Sequence, residues 1–188
     1  TQQRTLFPYT TLFRSSFAQD PEVVAFIAEM QEKHGFDADF LQRRFARLHP
    51  NETVLKAIRP PAVPELQRSW ERYRARFLNE RRIAGGTRFW EQHQATLKRA
   101  SESFGVPEEV IVAIIGVETE YGRNTGKFGI MQSLSTLAFR YPPRAPFFRS
   151  ELEHYLLLAR ENDVEPLVLK GSYAGAMGIP QFMPSSQR

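Results

Sequence analysis

One carboxylate in this sequence of 188 residues stands in line with apolar side chains. The segment Pro107 to Glu120 predicts a helix, and three isoleucines precede Glu118 in it by seven, four and three positions. On a helix these spacings place the four side chains on one face, which we expect to point into the core. A carboxyl group there must be paired, be protonated or line a cavity, and burial raises its pKa toward the range of a general acid. The alternative is that Glu118 ends its helix at the surface or pairs with Arg123.

The neighbouring carboxylate, Glu120, is poorly placed to act with Glu118. Two positions along a helix correspond to a rotation of about 200°, so the two side chains diverge. Glycosidases that use two carboxyl groups need them on either side of the bond that is cut. The sequence therefore does not predict a two-carboxylate glycosidase from this pair.

The stretch 171–184 is rich in glycine and predicts a shaped loop with at most short helical turns. Ser172 and Gln181 are polar side chains set among apolar neighbours in this loop. Its glycines at positions 175 and 178 would let the backbone approach a bulky ligand. The alternative is that the glycines only permit turns and that the two polar groups face water.

Two long motifs carry a resemblance to a known family. The run GVPEEVIVAIIGVETEYGRNTGKFGIMQSLSTLAFRYP (105–142) resembles the catalytic segment of the membrane-bound lytic transglycosylase B family. The run LKGSYAGAMGIPQFMPSS (169–186) resembles its second signature, and the two occur in the family's order. The match spans about Trp70 to Ser186, with weaker similarity from Phe17. It implies a peptidoglycan lytic transglycosylase that cuts the β-1,4 bond between N-acetylmuramic acid and N-acetylglucosamine. The product would be a 1,6-anhydro sugar, with Glu118 as the single acid and base.

Further site residues follow from the resemblance alone. It places Ser172 beside the catalytic Glu118 and Gln181 against the sugar that flanks the cut. It aligns Tyr73 with a tyrosine of the family's substrate cleft. The remaining substrate-binding candidates are Tyr121, Phe182 and Met177. For the aromatic candidates, packing in the core is the open alternative, because an aromatic residue at helical spacing is more often buried than presented to a ligand.

Helical signals dominate the chain and predict a mainly α fold. By resemblance, that fold is a lysozyme-like catalytic core around Glu118 with an N-terminal helical lobe. We expect a non-native leader in residues 1–16, the N-terminal helical region in 17–104, and a catalytic domain that is truncated at its C-terminus in 105–188. We expect Gly85 and Gly86 to break a helix and Thr87 to cap the next one. The predicted helices cover 20–34, 39–48, 51–58, 65–79, 87–104, 107–120, 133–140 and 149–162.

Composition excludes some classes of protein. The chain is 41% hydrophobic and 24% charged, with a net charge of +4, which is ordinary for a globular domain. It has no cysteine, so disulfides, thiolate metal sites and cysteine nucleophiles are excluded. No apolar run is long enough to span a membrane, and no export signal is visible in this stretch. The resemblance implies the periplasm or cell envelope of a bacterium with an outer membrane, a monomer, and membrane association only through an anchor outside these residues.

Cofactors and rival functions complete the expectations. We predict no metal site and no cofactor within these residues. The resemblance implies an EF-hand-like calcium loop in the part of the family that follows them. The expected partner is the peptidoglycan glycan strand, and a non-catalytic glycan-binding or scaffold module is the main alternative. A nucleic-acid binder is disfavoured, because only Arg68, Arg72 and Arg76 align on one helical face.

Overall fold

The computed structural model describes residues 16–60 and 69–188, and most of these are helical. Two strands of two residues, β1 (Phe128–Gly129) and β2 (Lys170–Gly171), pair antiparallel with Phe128 opposite Gly171. The predicted mainly α class is confirmed, whereas the small strand pair was not predicted. The helices are α1 (Pro21–His34), α2 (Ala38–Phe45), α3 (Glu52–Ile58), α4 (Trp70–Ala75), α5 (Glu80–Phe104), α6 (Glu108–Thr119), α7 (Ile130–Arg140), α8 (Ala145–Glu161) and α9 (Pro184–Gln187).

Polar caps fix the ends of the first three helices. The Asp20 carboxylate accepts the amide of Glu22 at 2.9 Å, and the Asn51 side chain accepts the amide of Thr53 at 2.9 Å. Both satisfy amides that the helix itself leaves without a partner. Gly35 ends α1 at φ 66°, a left-handed conformation that glycine adopts without strain. The predicted start and end of α1 and the predicted cap of α3 are confirmed.

The prediction of a helix break at Gly85 and Gly86 is wrong. Helix α5 runs through both, and the Thr87 hydroxyl donates to the carbonyl of Ile83 at 3.2 Å instead of capping a new helix. The cap is Asn79, whose side chain accepts the amide of Arg82 at 3.1 Å. Both glycines are buried, and they are required for packing against another side chain rather than for a turn. The predicted helix 65–79 and the predicted leader fall partly on residues 61–68 and 1–15, which lie outside the described residues.

A single hydrophobic core joins α1, α2 and α3 to α7 and α8. Phe139 of α7 is central in it, with ring centroids 6.1, 5.8 and 6.4 Å from those of Phe17, Phe26 and Phe45. This core therefore draws on both the 17–104 and the 105–188 regions of the sequence. Helices α5 and α6 pack against each other, and their buried residues Leu97 and Val112 do not belong to that core.

Ion pairs tie the N-terminal helices to α8 and the loop after it. Arg149 donates to Glu29 at 2.8 Å, and Arg44 donates to both carboxylate oxygens of Glu165 at 3.2 and 2.6 Å. The Arg44 guanidinium holds the pKa of Glu165 below its ordinary value of 4.5. The native state therefore favours the ionised form of this carboxyl group more strongly than the unfolded chain does.

We expect Glu165→Gln to reduce the acid sensitivity of the fold. A lowered native pKa stabilises the fold above the unfolded value of 4.5, and this contribution is lost as the pH falls through the lower native pKa. The effect should be below about 1 kcal/mol, because the pair is partly exposed. Urea unfolding at a series of acidic pH values measures it, with the exposed Glu91→Gln as control. If the free energy of unfolding changes with pH equally in wild type and in Glu165→Gln, the lowered pKa of Glu165 does not contribute to stability.

Candidate active site

Glu118 lies in the last turn of α6, and its side chain is exposed. The prediction that its stripe faces the core is wrong, since Ile114 of the same stripe is 52% exposed. Helix α6 instead turns Val112, Gly116 and Thr119 inward. Small residues on this face let α5 approach closely, so that Arg82 of α5 donates to the carbonyl of Gly116 at 2.7 Å. Glu118 forms no ion pair with any residue that the structure describes, so the suggested pair with Arg123 is absent there.

The chain reverses sharply directly after Glu118. Glu120, Tyr121 and Gly122 all have left-handed backbones, with φ values of 51°, 61° and 81°. The Thr119 hydroxyl, which is buried, accepts the amide of Gly122 at 3.0 Å and lies 3.1 Å from the carbonyl of Ile179, to which it donates. Thr119 therefore connects the end of the Glu118 helix to the loop 171–184.

Thr119→Val should lower the free energy of unfolding by about 1–3 kcal/mol. The valine keeps the shape of the buried side chain but leaves the carbonyl of Ile179 and the amide of Gly122 without this partner. Thr119→Ser retains the hydroxyl and serves as the matched control, with a smaller loss that reflects only the missing methyl group. Urea denaturation of both variants measures the difference. Equal losses in the two variants would show that the methyl group, not the hydroxyl, stabilises this junction.

The loop 171–184 is held in one shape by its own polar groups. The Ser172 hydroxyl oxygen accepts the amides of Ala174 and Ala176 at 3.3 and 3.0 Å. The Gln181 side chain donates to the carbonyl of Thr125 at 3.1 Å and to that of Gly178 at 2.8 Å. The predicted shaped loop is confirmed, with α9 as its only helical turn among the described residues.

An open groove of about 610 Å³ lies between this loop and the turn after α6. It brings together Ser172 and Gln181, two of the predicted site residues, but Glu118 is not part of its lining. Thr119 joins the end of the Glu118 helix to the loop. The lining of the groove contains cationic and polar side chains but no carboxylate. The lining residues are Arg123, Asn124, Thr125, Gly126, Lys127, Phe128, Ser172, Tyr173 and Gln181.

The other predicted site residues lie elsewhere. The Met177 side chain is only 5% exposed and belongs to the hydrophobic core, so it attaches the loop to the core and is not presented to a ligand. Phe182 is 49% exposed, and its backbone carbonyl accepts the amide of Met177 at 2.9 Å. Tyr73 is exposed on α4 in a row with Trp70 and Phe77, at centroid distances of 6.0 and 5.0 Å. The structure does not bring Tyr73 into the lining of the groove.

Tyr121 fills a slot made of glycines. A Cβ atom at Gly86 or Gly116 would lie 2.7 Å from the Tyr121 hydroxyl oxygen, and one at Gly85 would lie 3.2 Å from its ring. The ring also packs against Phe89, with centroids 5.8 Å apart. Tyr121 is therefore a packing residue between α5 and α6, and part of it lines a second, smaller cavity.

Sequence reasoning missed Glu151, whose carboxylate lies beneath the end of the loop. This residue of α8 is 4% exposed and accepts both the amide and the hydroxyl of Ser185, at 3.0 and 2.7 Å. It caps the start of α9 and so anchors the C-terminal end of the loop to the core. Its position in the stripe of Phe148, Leu152 and Tyr155 was the available signal, since these residues follow the same helical spacing.

The described residues contain no group of three or more histidine, cysteine, aspartate or glutamate side chains placed to hold a metal ion. No helix in the same ranges combines the length and the apolar character needed to cross a bilayer.

Comparison with known proteins decides the family. The model of the family described as the transglycosylase SLT domain matches residues 18–188. The chain belongs to that family. It is also 45% identical over 181 residues to the membrane-bound lytic murein transglycosylase B of Escherichia coli strain K12, across 92% of this chain and 50% of that protein. The chain thus spans about half the length of this curated relative, and the resemblance drawn from the two motifs is confirmed.

Solved structures of the family share the fold. The soluble lytic transglycosylase SltB1 from Pseudomonas aeruginosa superposes with a TM-score of 0.84 at 51% identity, over 88% of this chain and 55% of that one. The Escherichia coli lytic transglycosylase Slt35, in complex with bulgecin A, gives 0.83 at 42% identity, over 95% and 57%. A further structure of Slt35 is in complex with calcium. SltB3 from Pseudomonas aeruginosa, in complex with NAG-NAM-pentapeptide, gives 0.74 at 28% identity, over 88% and 44%. The lysozyme-like class expected for the chain is confirmed.

Proposed function

We propose that this chain carries the catalytic carboxylate of a peptidoglycan lytic transglycosylase. The reaction is cleavage of the β-1,4 bond between N-acetylmuramic acid and N-acetylglucosamine, with formation of 1,6-anhydro-N-acetylmuramic acid. The observation that carries the proposal is the junction at Thr119, which joins the helix of Glu118 to the loop that presents Ser172 and Gln181 in one groove. We place the reaction in the periplasm or cell envelope, where the glycan strands are.

A single carboxyl group can serve both proton transfers of this reaction. The protonated Glu118 gives its proton to the glycosidic oxygen as the bond to C1 breaks, and the free N-acetylglucosamine end leaves as an alcohol. The resulting carboxylate then takes the proton of the muramic C6 hydroxyl as that oxygen bonds to C1. The proton and electron pairs balance without water, and Glu118 ends in its starting state. Among the described residues no carboxylate lines the groove, so the groove offers no second carboxyl group to act with Glu118.

Ser172 and Gln181 are suited to bind the sugar. A hydroxyl group has two acceptor lone pairs and one proton, and both lone pairs of Ser172 face backbone amides. Its proton is therefore free to be donated to an acetamido or hydroxyl oxygen of the substrate in the groove. Gln181 uses its amide nitrogen on two carbonyls, which leaves its side-chain oxygen to accept from the sugar. We assign both residues to substrate binding in this way.

Because Glu118 is exposed, we assign to the bound glycan strand the exclusion of water from this carboxyl group. Tyr73 and Phe182 are exposed aromatic residues and remain candidates for stacking on the strand. The mechanism uses no metal ligand from this chain. We place the calcium site implied by the resemblance in the part of the protein that lies outside these residues.

A non-catalytic glycan-binding module is the alternative function. Glu118 is exposed and is not part of the groove lining, so a strand could bind in the groove without reaction, and the two functions differ in turnover.

Product analysis tests the proposal. Purified peptidoglycan is incubated with the protein, and the soluble products are identified by mass spectrometry. Muropeptides that end in 1,6-anhydro-N-acetylmuramic acid, lighter by one water molecule than the hydrolysed form, are the expected result. Reducing ends would mean a muramidase that uses water, and the lytic mechanism would fail. Binding to peptidoglycan without soluble products would support the non-catalytic module.

A further inference from the structure

A second cavity of about 140 Å³ adjoins the groove on the side of α5. Arg123 lines both spaces, so the two are neighbours on the surface. The lining residues of the second cavity are Gly85, Arg88, Phe89, Gln92, Tyr121 and Arg123. We call it the arginine cavity.

The arginine cavity carries positive charge without a compensating acid. Neither Arg88 nor Arg123 forms an ion pair with the residues that the structure describes, whereas Arg44, Arg140 and Arg149 all do. The adjacent carboxylate of Glu120 is engaged by Arg81 at 3.1 Å. Arg88 uses its Nε atom on the carbonyl of Ala84 at 3.3 Å, which leaves its two terminal nitrogens for a ligand.

The wall of the arginine cavity is built on closely packed backbone. Tyr121 is held in the glycine slot between α5 and α6, and Gly85 belongs both to that slot and to the cavity lining. A side chain at position 85 would approach the tyrosine ring to 3.2 Å. The cavity therefore depends on glycine at this position, while Arg88 and Gln92 project from the next turns of the same helix.

We propose that the arginine cavity binds a carboxylate of the peptide carried by N-acetylmuramic acid. Guanidinium groups bind carboxylates through paired N–H donors, and Gln92 can add an amide donor. N-acetylglucosamine carries no charge, so the anionic groups of the substrate are on the muramic acid and its peptide. The inference rests on the proposed function and adds a contact to the peptide. The relative SltB3 was solved with a ligand of this composition, NAG-NAM-pentapeptide.

Three ligands separate the sources of the carboxylate. An N-acetylglucosamine tetramer has none, NAG-NAM has the lactyl carboxylate, and in NAG-NAM-pentapeptide the lactyl group is an amide while the peptide supplies the carboxylates. Binding of each to wild type, Arg88→Gln and Arg123→Gln is measured by calorimetry. Arg88→Lys and Arg123→Lys keep the charge but lack the paired N–H donors of the guanidinium group. Arg99→Gln is the control for net charge, because Arg99 is exposed on α5 outside both spaces.

Arg88→Gln should weaken binding of NAG-NAM-pentapeptide by about tenfold and leave binding of the tetramer unchanged. Arg123 also lines the groove, so Arg123→Gln should weaken the pentapeptide ligand by about tenfold more than it weakens the tetramer. The lysine variants should recover part of the lost affinity for the pentapeptide ligand. Arg99→Gln should bind all three ligands as tightly as wild type. Equal weakening of all three ligands, or no weakening of the pentapeptide ligand, overturns the inference. A loss confined to NAG-NAM assigns the cavity to the lactyl carboxylate and overturns the peptide assignment. If wild type binds none of the three, the proposed function fails together with the inference.

Discussion

Glu118→Gln should lower the release of anhydro-muropeptides from peptidoglycan by at least about 100-fold. Glutamine has nearly the same shape but cannot supply or accept the proton, and general acid and base catalysis by one group contributes about 10²–10⁴-fold. Among the described residues no carboxylate lines the groove, so none there could take over the transfer from Glu118. Product release is followed by mass spectrometry or by the loss of turbidity of a peptidoglycan suspension.

The matched control for this prediction is Glu120→Gln. Glu120 lies two residues further along the same turn and pairs with Arg81 at 3.1 Å, so its loss removes one negative charge from the same region. We expect turnover to remain within a few-fold of wild type. Glu118→Gln should also leave the free energy of unfolding within about 0.5 kcal/mol, since this exposed carboxylate is unpaired among the described residues. Unchanged turnover in Glu118→Gln would remove this residue from the mechanism and favour the non-catalytic module.

The second large effect is expected from Gly126→Ala. A Cβ atom at position 126 would lie 2.0 Å from the carbonyl carbon and oxygen of Gly171 and 2.5 Å from the amide nitrogen of Ser172. All three are backbone atoms and cannot move aside as a flexible side chain could. The residue also has φ +96°, which is strained for alanine. We expect the free energy of unfolding to fall by about 3 kcal/mol or more, with a displaced Ser172 and a loss of glycan binding.

Gly35→Ala separates the two causes of that loss. Gly35 also has a positive φ, +66°, but a Cβ atom there would meet nothing within 4 Å. The free energy of unfolding of Gly35→Ala should therefore fall only by the cost of a left-handed alanine backbone, about 1–2 kcal/mol. Glycan binding should be kept. Urea unfolding and calorimetric titration with an N-acetylglucosamine oligomer compare the two variants. If both lose the same stability and both bind, the close approach of the two backbones does not shape the groove.

Helix ends with local causes could be predicted from the sequence. Asp20, Gly35 and Asn51 act through backbone groups within four positions of themselves, so a short window of sequence contains both partners. Gly85 and Gly86 look the same as Gly35 in sequence but act through Tyr121, which is more than thirty positions away. A glycine that makes room for a distant ring cannot be told from a glycine that ends a helix by its immediate neighbours.

The same limit explains the different outcomes for the two carboxylates on apolar stripes. Glu118 and Glu151 both continue a helical line of apolar residues, and the pattern predicts burial for each. Glu151 is buried, because Ser185 supplies two donors to its carboxylate. Glu118 is exposed, because α6 turns its small residues inward instead of its isoleucines. The role proposed for Glu118 rests on the family motif, while the contacts of its helix come from the structure.

The path of the chain through the core has a consequence for how such proteins diversify. Between Ile58 and Phe128 none of the described residues belongs to the core, so α4, α5 and Glu118 lie in one long segment between two parts of the same core. The entropic cost of closing such a segment between two fixed ends rises by only about 0.6 kcal/mol for each doubling of its length. Insertions and exchanges in α4 and α5 can therefore accumulate during evolution without loss of the folded core. Arg88 and Gln92 in the wall of the arginine cavity can thus change to suit cell walls of different chemistry, while Gly85 and the core residues stay the same.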